Sequence, residues 1–405
     1  MHHTFNHGTV INLMTTNPKR ILITAFEPSG DALAAGVVRE LLTRDPSLQI
    51  HALGGNKLKD AGAQLLEHTT DHAAMGLSAL KQFKTHKQRL KTLKAWLADN
   101  PIDMLIPVDS PAANWSICKL VKDNVKGAKV IHLVAPQVWA WAAWRVRRLQ
   151  KWSDGILCLL PFEPDWFARH NVPATFIGHP VFDPNCHAPG SDDEAHDLPQ
   201  SELRLILLPG SRRGEIAKNW PTMVQACREL LKRHPGDDKL QVVVAALDQR
   251  LADMIKTIAS EQGCDDLWQD RLHLTVGKTE SVLRWSNVAL ATSGTVTLQI
   301  AAHGKPMIAM FNASRFLYHA LGRWLVTQHT FTLPNLISEW QSGNRVITEL
   351  VPHFGKVQPV IEEVDKLLAN EVTRQHQQTE LAKVIGAFDG KVFSVEAADQ
   401  LLQRL

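Results

Sequence analysis

The fold turns on residues 21–44, ILITAFEPSGDALAAGVVRELLTR. ILITA (21–25) is a short branched-aliphatic run and reads as a buried strand, FEPSGD (26–31) reads as a turn, and DALAAGVVRELLTR (31–44) carries a helical apolar period. Strand, loop and helix in that order make one βα unit. The same unit recurs as IDMLIPVD (102–109) before SPAANWSICKLVKDN (110–124), as KVIHLVAP (129–136) before a tryptophan-rich stretch, and as GILCLLP (155–161) before FEPDWFARH (162–170). Apolar strands alternating with helices predict a parallel sheet covered on both faces.

Residues 183–200, DPNCHAPGSDDEAHDLPQ, lack any apolar period and place a linker over 185–200. The pattern then restarts with LRLILLPGSRRGEI (203–216), NWPTMVQACRELLKRH (219–234), LQVVVAAL (240–247), LHLTVG (272–277), NVALATSGTVTLQIAA (287–302) and KPMIAMF (305–311). The expected organisation is a loose tail over 1–19, a Rossmann-like domain over 20–184, the linker, a second Rossmann-like domain over 201–385, and a C-terminal helix over 386–405 that returns to the first domain or to a partner. Met14 is an alternative start. Two such halves are expected to face an interdomain cleft at the carboxyl ends of their strands, where ligands of parallel sheets bind.

The bulk numbers fit this. At 405 residues the chain exceeds the size of one ordinary core, and a net charge of +3 excludes bulk polyanion binding. The five cysteines, Cys118, Cys158, Cys186, Cys227 and Cys264, are scattered, odd in number and form no CxxC pair, which fits a reducing compartment. No run of eighteen apolar residues predicts a spanning helix; Val288–Phe311 comes nearest and is broken by Ser293, Gly294, Gln299, His303, Gly304 and Lys305. There is no HExxH, GxSxG, Walker or GxGxxG pattern, so neither metal nor cofactor is expected.

Three loops join a strand to a helix with small residues: FEPSGD (26–31), LPGSRRGE (208–215) and TSGTVTLQ (292–299). Each reads as a helix cap or as a cradle of backbone N–H groups for an anion. Two in the second half, with Gly210, Ser211 and Arg212 in one and Ser293, Gly294 and Thr295 in the other, suit a diphosphate. Asp109 closes an apolar strand, where it reads as a general base or as a cap for the next helix. Glu27 and Asp31 stand at the equivalent strand end, with Ser29 and Gly30 between them, and His132 lies at a similar position. Residues 71–96 set Met75, Leu77, Leu80 and Phe83 among six cations, a pattern for a lipid surface or for an amphipathic helix with a solvated basic face.

The stretch WAWAAWRVRRLQKW (139–152) interleaves aromatic and basic residues as single-strand nucleic-acid binders do. Its place after the strand KVIHLVAP, with no wider basic groove, favours another reading. Trp139 and Trp141 pack the expected cleft wall, while Arg145, Arg147 and Arg148 meet a ligand phosphate or face solvent.

Taken in order, these motifs resemble the lipid-A-disaccharide synthase family. The matches are EPSGD (27–31), LGG (53–55), AMGL (74–77), VDSP (108–111) with Asn114, IHLVAPQVWAW (131–141), LPFEP (160–164), GHP (178–180), LPGSRRGEI (208–216), SGTVTL (293–298), GKPM (304–307) and LPNL (333–336). The resemblance implies a GT-B fold, with an acceptor-binding first domain and a UDP-sugar-binding second one. It implies an inverting, metal-independent transfer of 2,3-diacylglucosamine from its UDP donor to 2,3-diacylglucosamine 1-phosphate (lipid X), releasing UDP, in lipid A biosynthesis. Asp109 matches the family's proposed catalytic aspartate and Arg212 its nucleotide-site arginine, and Gln299 and Asn335 fall in donor-side motifs. The resemblance further implies work at the cytoplasmic surface of the inner membrane and a homodimer formed by exchange of C-terminal segments. The chain departs from the family at Ala112, Ala142 and Gln299, where an acid, an arginine and a glutamate are usual, and at Ala135-Pro136-Gln137 and Ala25-Phe26-Glu27. These departures keep two alternatives open: a transferase for another UDP-sugar or acceptor, and a silent lipid- or nucleotide-binding relative.

Overall fold

A computed structural model of the protein describes residues 18–70, 79–186, 198–268, 271–314 and 329–405. The strands are β1 (Arg20–Ala25), β2 (Gln49–Gly54), β3 (Gln64–His68), β4 (Met104–Val108), β5 (Lys129–Leu133), β6 (Gly155–Cys158), β7 (Ala174–Phe176), β8 (Leu203–Leu208), β9 (Leu240–Ala246), β10 (Leu272–Val276), β11 (Val288–Thr292), β12 (Met307–Asn312) and β13 (Thr348–His353). Between β1 and β7 run α1 (Pro28–Arg44), α2 (Asn56–Asp60), α3 (Ala79–Asp99), α4 (Pro111–Asn124), α5 (Val146–Trp152) and α6 (Glu163–Ala168). After β8 come α7 (Arg213–Arg233), α8 (Gln249–Glu261), α9 (Thr279–Trp285), α10 (Val296–Ala302), α11 (Leu333–Ser342), α12 (Val357–Ala369), α13 (Glu371–Gly386) and α14 (Phe393–Leu402).

Two parallel sheets result. The first has seven strands in the order β3-β2-β1-β4-β5-β6-β7 and the second six in the order β10-β9-β8-β11-β12-β13. All five residues of β4, all seven of β9 and all five of β11 are buried, as expected for strands covered on both faces. By contact density one compact unit holds Met1–Leu133 with Ala398–Leu405, and the other holds Val134–Ala397. In the first unit the C-terminal helix is tied to α1 by an Arg44–Asp399 ion pair. In the second, Trp220 of α7 is fully buried and donates its indole N–H to the Ile255 carbonyl at 2.8 Å.

The strand orders mark the crevices at which ligands of parallel sheets bind. In each sheet the chain winds outward one way and then the other, so two neighbouring strands send their loops to opposite faces and leave a crevice at their carboxyl ends. In the first sheet these neighbours are β1 and β4, whose ends carry Glu27 and Asp109. In the second they are β8 and β11, whose ends carry Gly210 and Ser293.

Candidate active site

Asp109 follows the last residue of β4 and is exposed. Its backbone is left-handed at φ 42°, as is that of Ser110 at φ 41°. Two successive non-glycine residues in this region are sterically disfavoured, so the neighbours must hold them there. Asn114, fully buried in the first turns of α4, does so: its amide donates to the Val108 carbonyl at 3.1 Å and to the Asp109 carbonyl at 2.8 Å. The Asn114 Oδ1 in turn accepts from the Thr24 hydroxyl of β1 at 2.6 Å. Ser110 donates to the Glu27 carboxylate at 3.3 Å, so both acids stand at this one switch point. Ser29 is exposed beside them, and Gly30 is buried, where an added Cβ would make ordinary contact with Val108 at 3.4 Å.

Two expectations for this end are corrected. The Asp31 carboxylate, 4% exposed, accepts the backbone N–H groups of Gly55, Lys57 and Leu58 at 2.6, 3.1 and 3.4 Å, so it caps α2. His132 is 2% exposed with the Cys118 sulfur 3.9 Å away, and burial alone pushes its pKa down to about 4. It is a neutral core residue.

The second switch point is built on Glu215, which sequence reasoning did not single out. Its carboxylate accepts from the Ser211 and Arg212 backbone N–H groups at 3.0 and 3.3 Å, in the place an anion takes at a helix N-terminus. The Arg212 guanidinium reaches the other oxygen at 3.2 Å, yet its side chain remains 75% exposed and available to a ligand. Gly210 has φ 129°, and a Cβ there would fall 2.5 Å from the Glu215 Cβ, so only glycine fits. In the adjoining loop Ser293 donates to the Phe331 carbonyl, while Gly294 and Thr295 are exposed at the start of α10. Gln299 donates to Glu280 at 3.2 Å, and the same carboxylate meets His303 at 2.8 Å. This glutamine is therefore tied into α9.

Asn335 corrects a third expectation. It is fully buried; its amide donates to the Ile347 carbonyl and the Glu349 carboxylate, and its oxygen accepts the Val346 and Ile347 N–H groups. Two donors and two acceptor positions are all in use, which leaves nothing for a ligand. Its task is to hold the 331–335 loop together with Glu349, which also binds Phe331 N and Thr332 N at 3.0 Å each.

The tryptophan stretch divides in two. Trp139 is 5% exposed, packs edge-on against Phe162 and donates its indole N–H to Glu163 at 3.0 Å. Trp141, expected to pack a wall, is instead 46% exposed, with the Arg145 guanidinium 3.9 Å from its ring centroid. The backbone is left-handed at Ala142, φ 55°, directly after Trp141. Glu163, a second residue missed in the sequence, also accepts from Leu160 N at 2.9 Å. Burial pushes its pKa up to about 7 against the pull of these N–H donors.

Met75 and Leu77 lie outside the described residues, as do the side chains of Leu80 and Phe83. Farther along α3, Leu93 and Leu97 are buried while Lys84, Lys87, Lys91 and Lys94 are exposed, an amphipathic helix with a solvated basic face. No described helix is long and apolar enough to cross a membrane.

Similarity to known proteins runs over nearly the whole chain. Residues 21–402 match the family model for lipid-A-disaccharide synthetase. Among similar proteins, the lipid-A-disaccharide synthase of Geobacter sulfurreducens is 30% identical over 376 residues, covering 92% of this chain and 94% of that one. That of Myxococcus xanthus is 31% identical over 393 residues, covering 96% and 98%. Among solved structures, UDP-GlcNAc 2-epimerase from Neisseria meningitidis bound to UDP-GlcNAc superposes with a TM-score of 0.62 at 15% identity, over 95% of this chain and all of that one. The glycotransferase of kitacinnamycin gives 0.58 at 14% identity, over 96% and 100%. These two share the fold.

Proposed function

We propose that this chain, which belongs to the lipid-A-disaccharide synthetase family, performs that family's transfer with Asp109 as its base. The protein is a glycosyltransferase of lipid A biosynthesis. In the proposed reaction the Asp109 carboxylate takes the proton of the acceptor 6-hydroxyl, and the freed oxygen attacks the anomeric carbon of UDP-2,3-diacylglucosamine. The carbon–oxygen bond to the diphosphate breaks, its electron pair leaves with UDP, and configuration inverts. Positive charge and backbone N–H groups at the departing diphosphate lower the barrier. The Arg212 guanidinium, with the Gly294–Thr295 turn, is the group we assign to that task.

The observation that carries the reading is the left-handed presentation of Asp109 at the β1/β4 switch point, exposed while Asn114 beneath it is fully buried. A strand-end residue serving only as a helix cap needs no such conformation, and the side chain of Ser110, in the N-cap position of α4, makes no cap bond. The acceptor is 2,3-diacylglucosamine 1-phosphate, and Arg145, half-buried against the exposed Trp141 ring, offers a cation for its phosphate. Both substrates are acylated, so the enzyme works at the inner-membrane surface, with the apolar and basic start of α3 as the contact.

Purified protein is given the acylated UDP donor and the monosaccharide 1-phosphate acceptor, and products are identified by mass spectrometry. The proposal expects the β-linked disaccharide 1-phosphate and one UDP per turnover, and loss of at least about a hundredfold in kcat for Asp109→Asn. Full activity in that variant ends the assignment of the base. Turnover only with a non-acylated UDP-sugar selects a different transferase, and tight UDP binding without turnover selects a silent relative.

A further inference from the structure

Three of the five non-glycine residues with positive φ among the described residues lie at adjacent strand ends: Asp109 and Ser110 after β4, and Val134 after β5. Val134 is β-branched and sits at φ 76°, a conformation such side chains avoid. The two strands are in register here, with Val108 opposite Leu133 and the Asp109 N–H donating to the Leu133 carbonyl at 3.2 Å. Unfavourable backbone is therefore concentrated where the proposed base stands. Such conformations persist only where the surroundings over-determine them.

We infer that the buried Thr24–Asn114 pair is the positioning device for Asp109, the Thr24 hydroxyl anchoring to β1 the Asn114 amide that clamps the strand end. This rests on the assignment of Asp109 as base and adds a residue, Thr24, that no motif contains. Both residues are 0% exposed, so their polar groups have no water to turn to. The two amide hydrogens of Asn114 go to successive carbonyls, Val108 and Asp109, and fix the peptide that carries the carboxylate. An asparagine side chain can flip, exchanging its oxygen and nitrogen, at little steric cost. The two carbonyls can only accept and so hold the nitrogen toward themselves, while the Thr24 hydroxyl, donating to Oδ1 at 2.6 Å, anchors the other end of the amide to β1. Thr24 lies on β1 opposite Pro107 of β4, so the pair links the two strands of the switch point. Misplacing a reacting group by about 1 Å costs on the order of a hundredfold in rate.

The test compares Thr24→Val, which keeps the branched shape and removes the donor, with Thr24→Ser, which keeps the donor. Each is assayed with both substrates, alongside Asp109→Asn, for kcat, KM, urea midpoint and hydrogen exchange of a peptide spanning 104–114. The expectation for Thr24→Val is a tenfold to hundredfold loss of kcat, KM for the donor within twofold, and faster exchange confined to that peptide. Thr24→Ser should recover kcat to within about threefold, which a loss of β-branched packing would not do. If Thr24→Val keeps full kcat, or if both variants lose activity in proportion to their urea midpoints, the inference fails. Should Asp109→Asn remain active, the base assignment fails instead, and unchanged exchange at 104–114 in Thr24→Val would separately refute the clamp. If Thr24→Val does not fold, Thr24→Ala supplies the same comparison without the donor.

Discussion

Replacing Glu163 by glutamine should remove a pH dependence of stability that the wild-type protein carries. The Glu163 side chain is 2% exposed and its pKa is raised from 4.5 to about 7, first by burial, with bonds from Leu160 N and the Trp139 indole acting the other way. The folded state thus holds this proton more tightly than the unfolded chain does. Where the native state binds more protons, stability falls as pH rises. The loss is absent below about pH 4.5, grows through the interval to pH 7 and is complete above it. At 1.36 kcal/mol per pKa unit the full loss is about 3 kcal/mol, of which roughly 2–3 falls between pH 5 and pH 8.

Glutamine does not titrate, but its amide nitrogen will face one of the two N–H donors, at a fixed cost of about 1–3 kcal/mol. Histidines with lowered pKa values, among them His51, His86, His273 and His303, act in the opposite direction in both proteins and cancel in the difference. Urea unfolding at half-unit steps from pH 5 to pH 8 should show Glu163→Gln less stable than wild type at pH 5. The gap should close or reverse by pH 8. Parallel stability profiles would refute the buried-carboxyl argument.

Two other substitutions test the donor and membrane sides. Arg212→Ala should cost on the order of a hundredfold in kcat/KM for the donor, as loss of a charge at a departing diphosphate does. Its urea midpoint should hardly move, because an exposed pair such as Arg212–Glu215 is worth about 1 kcal/mol at most; steady-state kinetics with unchanged kcat/KM would remove Arg212 from the site. Phe83→Glu should lower partitioning onto anionic liposomes in a flotation assay without changing the circular dichroism spectrum, and undiminished flotation would leave the start of α3 without a lipid role.

The βα units were legible because each is local: a run such as ILITA and its following helix carry their period within about twenty residues. The loops at the two switch points were legible for the same reason, since small residues between a strand and a helix announce a close backbone approach. What escaped was every group acting from a distance in sequence. Thr24 is 90 residues from Asn114, Glu163 is 24 from Trp139 and Glu349 is 17 from Thr332. Nothing near Thr24 marks it as more than one strand residue among others. Asp31, His132 and Asn335 misled in the converse way. Each has a residue type suited to catalysis or binding at a strand or helix end, and each spends its polar atoms on the fold: a cap, a core contact, a saturated loop. Trp141 misled because aromatic residues usually pack, and nothing in its sequence neighbourhood marks it as exposed.

One physical pattern joins the three loops. In each, a side chain from the adjoining helix or strand binds the loop's own backbone: Asn114 holds the carbonyls of Val108 and Asp109, Glu215 the N–H groups of Ser211 and Arg212, and Glu349 those of Phe331 and Thr332. Once those backbone groups are satisfied, fewer backbone conformations remain open to the exposed residues beside them, Asp109 and Arg212. The entropy of ordering the loop is then lost during folding and need not be lost again when substrate arrives. A transferase that must hold a hydroxyl, an anomeric carbon and a departing diphosphate in line gains most from such order, since a large share of its barrier lies in alignment. The left-handed backbone at Asp109 and Ser110 is the local cost of that order, and Thr24 and Asn114 are where the fold meets it.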